Sequence, residues 1–478
     1  VFGDLLVATC GVKPRSELAK QAGLDVGATG GITVDSSLTT ADPRVHAIGD
    51  CAEVGQMTSG TVEAAWEQAE VLADVLNGRP AREMAPEVLR LTAGGLDVMV
   101  LGDRDAEGHV VRLADGERYV RAVLVDGVVH AAVTVNAPEV AAELVLLADR
   151  RTAVVPETLL EATETPKKAK PVCRCNGVTR AVIEAAWKAG ADSVDGIAAQ
   201  TRATTGCGSC TGAVGDLLER LRRGETESVP TRRATMTELG NAKHLVVVGG
   251  GMVAHRLVEA LRSRDTGVEW RITVLAEEPR LPYDRVALTS YFSGRDPHDL
   301  SLGEPELWDD PAVTLRKGVT VAALDVAAKT VRTVRDEVIR YDELVLATGS
   351  SAFVPPVKNS DAQGCFVYRT IDDVAALRTY VERLRTEREA AQETPRRGLG
   401  LGSSAEPRPV HGVVVGGGLL GLEAAGALRA LGAVTSVVEF APRLMPLQVD
   451  EGGGSALARL IRGLDVDVRT STQTTRVK

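Results

Sequence analysis

Twice in this chain an apolar strand runs into a glycine-rich loop and then a helical pattern, and no other feature restricts the fold as much. In the first copy, His244–Val248 leads into GGGMVAH and a helix read through Leu257, Ala260 and Leu261. Gly249, Gly251 and Ala254 fit G-x-G-x-x-A: the first allows a tight turn, the second lets the backbone approach a pyrophosphate, and the third keeps helix and strand close. The next strand, RITVLAE, ends on Glu277, a carboxylate placed to accept hydrogen bonds from ribose hydroxyls. In the second copy, His411–Val415 is the strand, Gly416, Gly418 and Gly421 form the loop, and SVVEF brings Glu439 to 23 residues after Gly416. That is close to the ~20 residues expected of a ribose-binding acid. One such signature can be a mere strand-to-helix turn. Two copies, each with strand, loop, helix and terminal acid in order, predict an α/β protein with two Rossmann-like domains and two dinucleotides, FAD and NAD being the common pair. A carboxylate at 439 repels a 2′-phosphate and so favours NADH over NADPH, with Arg443 close enough in sequence to soften the preference.

Four cysteines lie between these landmarks. Cys173 and Cys175 form C-x-C, and after 31 residues Cys207 and Cys210 form C-x-x-C. Two close pairs of thiolates brought together by a folded segment supply four sulfur ligands for zinc or an iron–sulfur cluster. The intervening residues read as short helices, with Gly206 and Gly208 freeing the backbone around Cys207. A structural zinc knot or a dithiol fits the same spacing. The redox-cofactor motifs on both sides favour the iron–sulfur centre.

Composition narrows the class. A chain of 478 residues has room for roughly three or four domains, and 44% hydrophobic with 25% charged residues allows large cores. The net charge of −10 argues against nucleic acid or an anionic membrane, which need clustered Lys and Arg. No apolar run approaches the ~18 residues of a membrane span, and Asp4 interrupts the one apolar N-terminal stretch. Seven cysteines, four of them clustered, make a poor disulfide framework. Cys10, Cys51 and Cys365 read as isolated core thiols, and a reducing compartment, the cytoplasm, is expected.

The cysteine segment resembles the bacterioferritin-associated ferredoxin-like 2Fe–2S domain in spacing and surroundings. PYDRVALTSYFSG, YDELVLATGS, VYRTIDDVAALR, VVVGGGLLGLEAAGAL and VVEFAPRLMPLQVD together resemble the reductase part of NADH-dependent assimilatory nitrite reductase large subunits. DLLVATCGVKPRSELA, TADPRVHAIGDCAE and EAAWEQA resemble the closing part of that same reductase. The resemblance implies that Arg285 approaches the FAD phosphates or flavin edge, and that Thr348 and Gly349 lie against FAD where the chain crosses between domains. It implies that Gly49 and Asp50 set a helix N-terminus at the pyrophosphate and a carboxylate on the ribityl chain, and that Glu423 sits near the nicotinamide. Each has an ordinary alternative: a surface ion pair for Arg285, a helix cap for Asp50, a solvated helix position for Glu423. Where many relatives carry Lys after the Ser of the P-Y-x-R motif, this chain has Tyr291 after Ser290.

The pieces stand in an unusual order. Residues 1–15 read as the last strand of an NAD-binding domain, 16–80 as the closing segment of an FAD domain, and 81–165 as a small α+β domain with hairpin turns at Asp115-Gly116 and Asp126-Gly127. The last is expected on the flavin face or at a dimer contact. Residues 170–222 form the cysteine domain, 223–243 a linker, 244–386 the opening FAD segment, 387–410 a mobile insertion and 411–478 the NAD-binding domain. Met236 resembles a start codon, so a permuted reductase and a fragment of two adjacent ones both fit. Backbone polar groups need partners, so Leu5–Ala8 is expected to join the sheet of 411–478, and 40–70 to dock on 244–350, within one chain or across a homodimer.

The activity implied is hydride transfer from NADH to FAD and single-electron transfer to the cluster, with no catalytic acid or base assigned to the protein. No C-x-x-C or C-x4-C pair lies in either flavin segment, unlike a disulfide reductase. The cysteines are too few for a further 4Fe–4S and sirohaem centre, so the expected role is the electron-input half of a nitrite reductase, with a terminal module elsewhere. An electron-transfer subunit of assimilatory nitrate reductase, paired with a molybdopterin partner, and a non-enzymatic NAD(H)-binding redox sensor are the alternatives.

Overall fold

A computed structural model of the chain describes residues 1–81, 84, 88–93, 96–103, 106–149, 151–155, 171–173, 178–205, 210–222, 239–265, 269–293, 297–302, 305–393 and 408–477. The first lobe is built on a five-stranded parallel sheet in the order Val313–Lys317, Trp270–Ala276, Lys243–Val248, Glu343–Leu346 and Val45–Ala47. The last strand is drawn from nearly three hundred residues upstream, with Leu344 opposite Val45 and Leu346 opposite Ala47. Such a sheet is buried on both faces, which is why its strands read as continuous apolar runs. Helices Met252–Arg264 and Val62–Leu76 lie against one another, and Arg264 binds both Glu70 and Asp74 across the contact. Residues 40–70 and 244–350 thus share one core.

The second lobe repeats the plan, with parallel strands in the order Cys365–Val367, Leu5–Ala8, His411–Val415, Val434–Val438 and Val466–Arg469. Leu5–Ala8 occupies an interior position in that sheet. Asp4 pins its register: its N–H donates to the His411 carbonyl at 2.7 Å, and its carboxylate accepts from the His411 N–H at 2.8 Å and from Arg388. Between the lobes, Val12–Pro14 runs antiparallel to Ser350–Ala352, so the chain crosses twice at one place.

Two expected boundaries change. The FAD segment does not extend to 386: past the crossing, Cys365–Val367 edges the second sheet, and Ile371, Val374, Leu377 and Val381 of the helix Ile371–Glu393 enter that lobe's core. These residues extend the apolar surface that the short second sheet must cover. The insertion at 387–410 begins later than expected, because that helix runs to Glu393. Residues 394–407, and most of the linker at 223–238, lie outside the described residues.

The small domain is an antiparallel sheet, Val88–Ala93, Leu96–Leu101, Val128–Val135, Tyr119–Val125 and His109–Ala114, with the helix Pro138–Asp149 on one face. Asp126 and Gly127 both take positive φ, 52° and 78°, as the tightest hairpin turn requires. The other face rests on the second lobe, and the edge strand brings Val88, Leu89 and Arg90 to the space between the lobes. Leu91, Val98, Val133 and Val135 share a core with Leu422, Leu457 and Ile461 of the second lobe, and the Tyr119 hydroxyl donates to Asp450 at 2.6 Å.

The cysteine domain pairs Pro171–Cys173 with Val178–Thr179 and carries helices Arg180–Lys188, Val194–Thr201 and Thr211–Arg222 around Ile183, Ile197, Val214 and Leu218. Among the described residues, no helix is long and apolar enough to cross a membrane.

Candidate active site

A continuous cleft of about 1570 Å³ runs between the lobes, walled by both glycine loops, the crossing strands, the Gly49–Cys51 turn and the cysteine domain. Of the expected site residues, Gly249, Gly251, Glu277, Arg285, Thr348, Gly349, Gly49, Asp50, Gly416, Gly418, Glu423, Glu439 and Cys210 line it. Ala254 and Gly421 stand just behind it, inside the helices Met252–Arg264 and Leu419–Ala430.

The loops are shaped for an approaching phosphate. Gly249 has φ of 119°, and a Cβ there would lie 2.0 Å from the Ala347 carbonyl oxygen, so only glycine fits. A Cβ on Gly421 would meet the Gly416 carbonyl oxygen at 1.9 Å, which is the close helix–strand approach the third glycine serves. Gly251 and Gly418 each precede the first turn of a helix, with open space where a side chain would stand. Bare backbone N–H groups at a helix start are an anion site.

The two terminal acids differ. Glu277 is exposed and paired with Arg15 at 2.7 Å. Glu439 is buried, accepting from the Gly417 N–H at 2.6 Å and the Ala441 N–H at 2.7 Å, one bond per oxygen. It thus stiffens its own glycine loop and keeps further lone pairs for a ribose.

The Gly49–Cys51 turn carries a polar cluster that the sequence left partly unread. The Gly49 N–H donates to buried Gln68 at 2.7 Å. Asp50 accepts from Ser350 Oγ and, at 2.7 Å, from Arg369, whose guanidinium also donates to the Ser350 carbonyl at 3.1 Å. Gln68 and Arg369 were missed as site residues. Both lie in quoted stretches, EAAWEQA and VYRT; Arg369 reaches Asp50 only through long-range folding, whereas Gln68 meets Gly49 from the helix that follows the turn. Arg285 stacks on Tyr283 at 5.0 Å, pairs with Glu278 and donates to the Arg369 carbonyl at 3.2 Å. Thr348 donates to the Arg15 carbonyl at 2.6 Å, and the Gly349 carbonyl accepts from Arg15 N–H at 2.9 Å. Tyr291 is buried in the second lobe's core with the Arg378 guanidinium 4.2 Å over its ring, while Thr289 and Ser290 line the cleft.

Glu423 is not a solvated helix position: it is buried, and burial, reinforced by Asp284, pushes its carboxyl up to about 8. Burial likewise raises the Tyr368 hydroxyl, which exchanges a hydrogen bond with Thr289 at 3.1 Å.

Cys173 and Cys210 form no disulfide and are buried in one small core. Cys210 immediately precedes Thr211–Arg222, and its carbonyl takes the first-turn bond from Val214 at 2.8 Å. Cys210 and Val172 also face the cleft. Cys175 and Cys207 lie outside the described residues. Two buried cysteines from opposite ends of the domain, neither in a disulfide and both in one core, fit half of a four-sulfur ligand set. Of the remaining thiols, Cys51 is a core residue bonded to the Ile48 and Leu346 carbonyls, but Cys10 is a half-buried residue of the cleft wall and Cys365 is half-buried too. Cys10 stands just past the interior strand Leu5–Ala8, where that strand opens into the cleft, and Cys365 lies on the edge strand of the same sheet.

Two dinucleotide loops facing one cleft, with a cysteine-bearing domain at its wall, define an oxidoreductase that works with FAD, NAD and a 2Fe–2S cluster. The family model for pyridine nucleotide-disulphide oxidoreductases matches residues 2–69 and 237–478, more than half of the chain, and the protein belongs to that family. A BFD-like [2Fe-2S] binding domain matches residues 171–220. The chain is 45% identical over 233 residues to the nitrite reductase [NAD(P)H] large subunit of Klebsiella oxytoca, covering 49% of this chain and 22% of that one. It is 40% identical to the nitrite reductase (NADH) large subunit of Escherichia coli, covering 49% and 25%. The assimilatory nitrate reductase electron transfer subunit of Bacillus subtilis is 30% identical, over 44% of this chain and 24% of that one. The match therefore spans about a quarter of the length of each of these three relatives. Among solved structures, the ferredoxin reductase for the CYP199A2 system of Rhodopseudomonas palustris overlaps at a TM-score of 0.42 with 26% identity, over 49% of this chain and 52% of that one.

Proposed function

We propose that this chain is the electron-input module of an assimilatory nitrite reductase, accepting two electrons from NADH and releasing them singly toward a terminal reductase. When bound, FAD takes up hydride and gives up single electrons, and a 2Fe–2S cluster accepts one electron at a time. The observation that carries the reading is the shared cleft, in which both glycine loops and Cys210 face the same space.

The chain's own residues bind and orient. Gly249 and Gly251 receive the FAD pyrophosphate on the start of Met252–Arg264, and Asp50, held by Ser350 and Arg369, presents a carboxylate to the ribityl chain. Gly416, Gly418 and Gly421 receive NADH, Glu439 takes its ribose, and Glu423 flanks the nicotinamide as a neutral acid. Cys173, Cys175, Cys207 and Cys210 hold the cluster. The terminal partner is a module bearing sirohaem and 4Fe–4S, and the setting is the cytoplasm; a homodimer is compatible with this scheme. The similarity to the Bacillus nitrate reductase subunit supports a second reading, with a molybdopterin partner.

The test is anaerobic addition of NADH to the FAD- and cluster-loaded chain, with flavin absorbance and the EPR signal of the reduced cluster followed together. Both should develop in sequence, and a Cys210→Ser variant should keep flavin bleaching while losing the EPR signal. A flavin that bleaches beside a cluster that stays oxidised sinks the reading. Adding a sirohaem module or a molybdopterin module then separates nitrite from nitrate.

A further inference from the structure

The cysteine domain meets the rest of the protein along the helix Val194–Thr201 and its cap, Arg202. Arg202 takes a left-handed backbone conformation, φ 60°, at that helix end. A residue other than glycine adopts it at a conformational cost, which draws attention to what the side chain does there. The guanidinium is buried, 9% exposed. Its Nη1 donates to both carboxylate oxygens of Asp149, at 2.8 and 2.7 Å, and its Nη2 donates to Glu63. Asp149 ends the helix of the small domain, and Glu63 stands in the first turn of Val62–Leu76 in the first lobe. One planar fork therefore ties three domains together. A second contact from the same helix, Asp195 to Arg256 of the first lobe at 3.8 Å, is more exposed.

This junction borders the cleft: Glu63 and Trp66 line it beside Val172 and Cys210. We propose that Arg202 is a positioning residue that latches the cysteine domain over the cleft, so that Cys210 faces the flavin side of the molecule. The inference deepens the electron-transfer reading above and rests on it for its kinetic consequence. Only arginine satisfies the geometry, because five donors in one plane reach two carboxylates at once, whereas lysine offers a point charge. Burial already pushes the Glu63 carboxyl up to about 7, so removing the cation leaves two buried carboxyl groups without the donor that joins them, and the junction loosens.

The test uses the full chain loaded with FAD and cluster. Arg202→Gln should leave flavin bleaching by NADH within about twofold of the parent and slow cluster reduction by about tenfold or more, the scale on which a buried interdomain pair shifts docking. Arg202→Lys should recover part of that loss, and Asp149→Asn should show the same split more weakly. A readout independent of electron flow is hydrogen exchange in the unloaded chain, where Arg202→Gln should speed exchange in 194–201 and in the first turn of 62–76. Unchanged exchange overturns the latch. So does a cluster reduction rate within about twofold of the parent, or an equal fall in both rates, which marks a general folding role. If the parent's own cluster is never reduced by NADH, the electron-transfer reading fails while the exchange comparison still decides the latch.

Discussion

The two dinucleotide lobes carry the same strand–loop–helix signature, yet their matched positions are put to different uses. Arg256 and Glu423 both lie seven residues past the first glycine of their loops. In the first lobe Arg256 lies half-buried over Trp66 and pairs with Glu70, at 2.7 Å, and Glu259, at 2.8 Å. In the second lobe Glu423 is buried at the cleft with a raised pKa. The terminal acids diverge as well. Glu277 is exposed and engaged by Arg15 from the far end of the chain, whereas Glu439 is buried and bonded to its own loop. The lesson is that a signature specifies a backbone, and the neighbours a fold supplies determine what each acid does.

The largest effect expected from this contrast is at the third position of the loop, Ala254 in one lobe and Gly421 in the other. Gly421→Ala puts a Cβ against the Gly416 carbonyl oxygen, so the second loop must shift. It should lose about 2–3 kcal/mol of stability, in the range of overpacking, and most NADH-driven flavin bleaching. Ala254→Gly should cost only about 1 kcal/mol, the helix-propensity difference. Thermal unfolding and NADH titration measure both, and equal effects at the two positions would erase the distinction between the loops.

A smaller effect concerns pH. The carboxyl of Glu423 is raised from its ordinary 4.5 to about 8, so the fold favours its neutral form. That contribution is complete below about pH 4.5 and is lost as pH climbs through about 8. Glu423→Gln should flatten the unloaded protein's decline in stability over this window, by up to a few kcal/mol at its alkaline end, and change little at pH 5. Removing Arg256 should produce no such pH dependence. A Glu423→Gln protein that declines as steeply as the parent would show that the acid is ionised in the fold.

The smallest effect is one of selectivity. Glu439→Ala removes the charge that opposes a 2′-phosphate and frees two loop amides, so the kcat/KM ratio of NADH to NADPH should fall by about tenfold, ~1.4 kcal/mol. A parent enzyme that uses NADPH as well as NADH would already contradict the role given to this acid.

Much of the site was legible because its signals are local. A glycine loop between a strand and a helix, or an acid at a strand end, is visible within some thirty residues. Asp50 was legible for the same reason, through AIGD. Arg369 was not, because its relation to Asp50 exists only after segments some three hundred residues apart meet; Gln68 lies close in sequence, but nothing local marks a helical glutamine as the acceptor for the Gly49 N–H. Glu423 was placed near the nicotinamide by resemblance, but its raised carboxyl depends on burial and on Asp284, brought in from a distant segment. The assignment of Cys365–Val367 to the second sheet escaped sequence reasoning because three residues carry no periodicity.

By itself the sequence determined that two dinucleotide folds form and that a four-cysteine module separates their pieces, since periodicity, glycine spacing and cysteine spacing are properties of neighbouring residues. It also required a sheet for Leu5–Ala8, because backbone donors and acceptors must be paired. Only the tertiary structure decided that the small domain rests on the second lobe and that one arginine joins three domains. Those outcomes depend on which apolar faces and which charges remain uncovered once each domain has folded, and that is settled by packing between segments far apart in the chain.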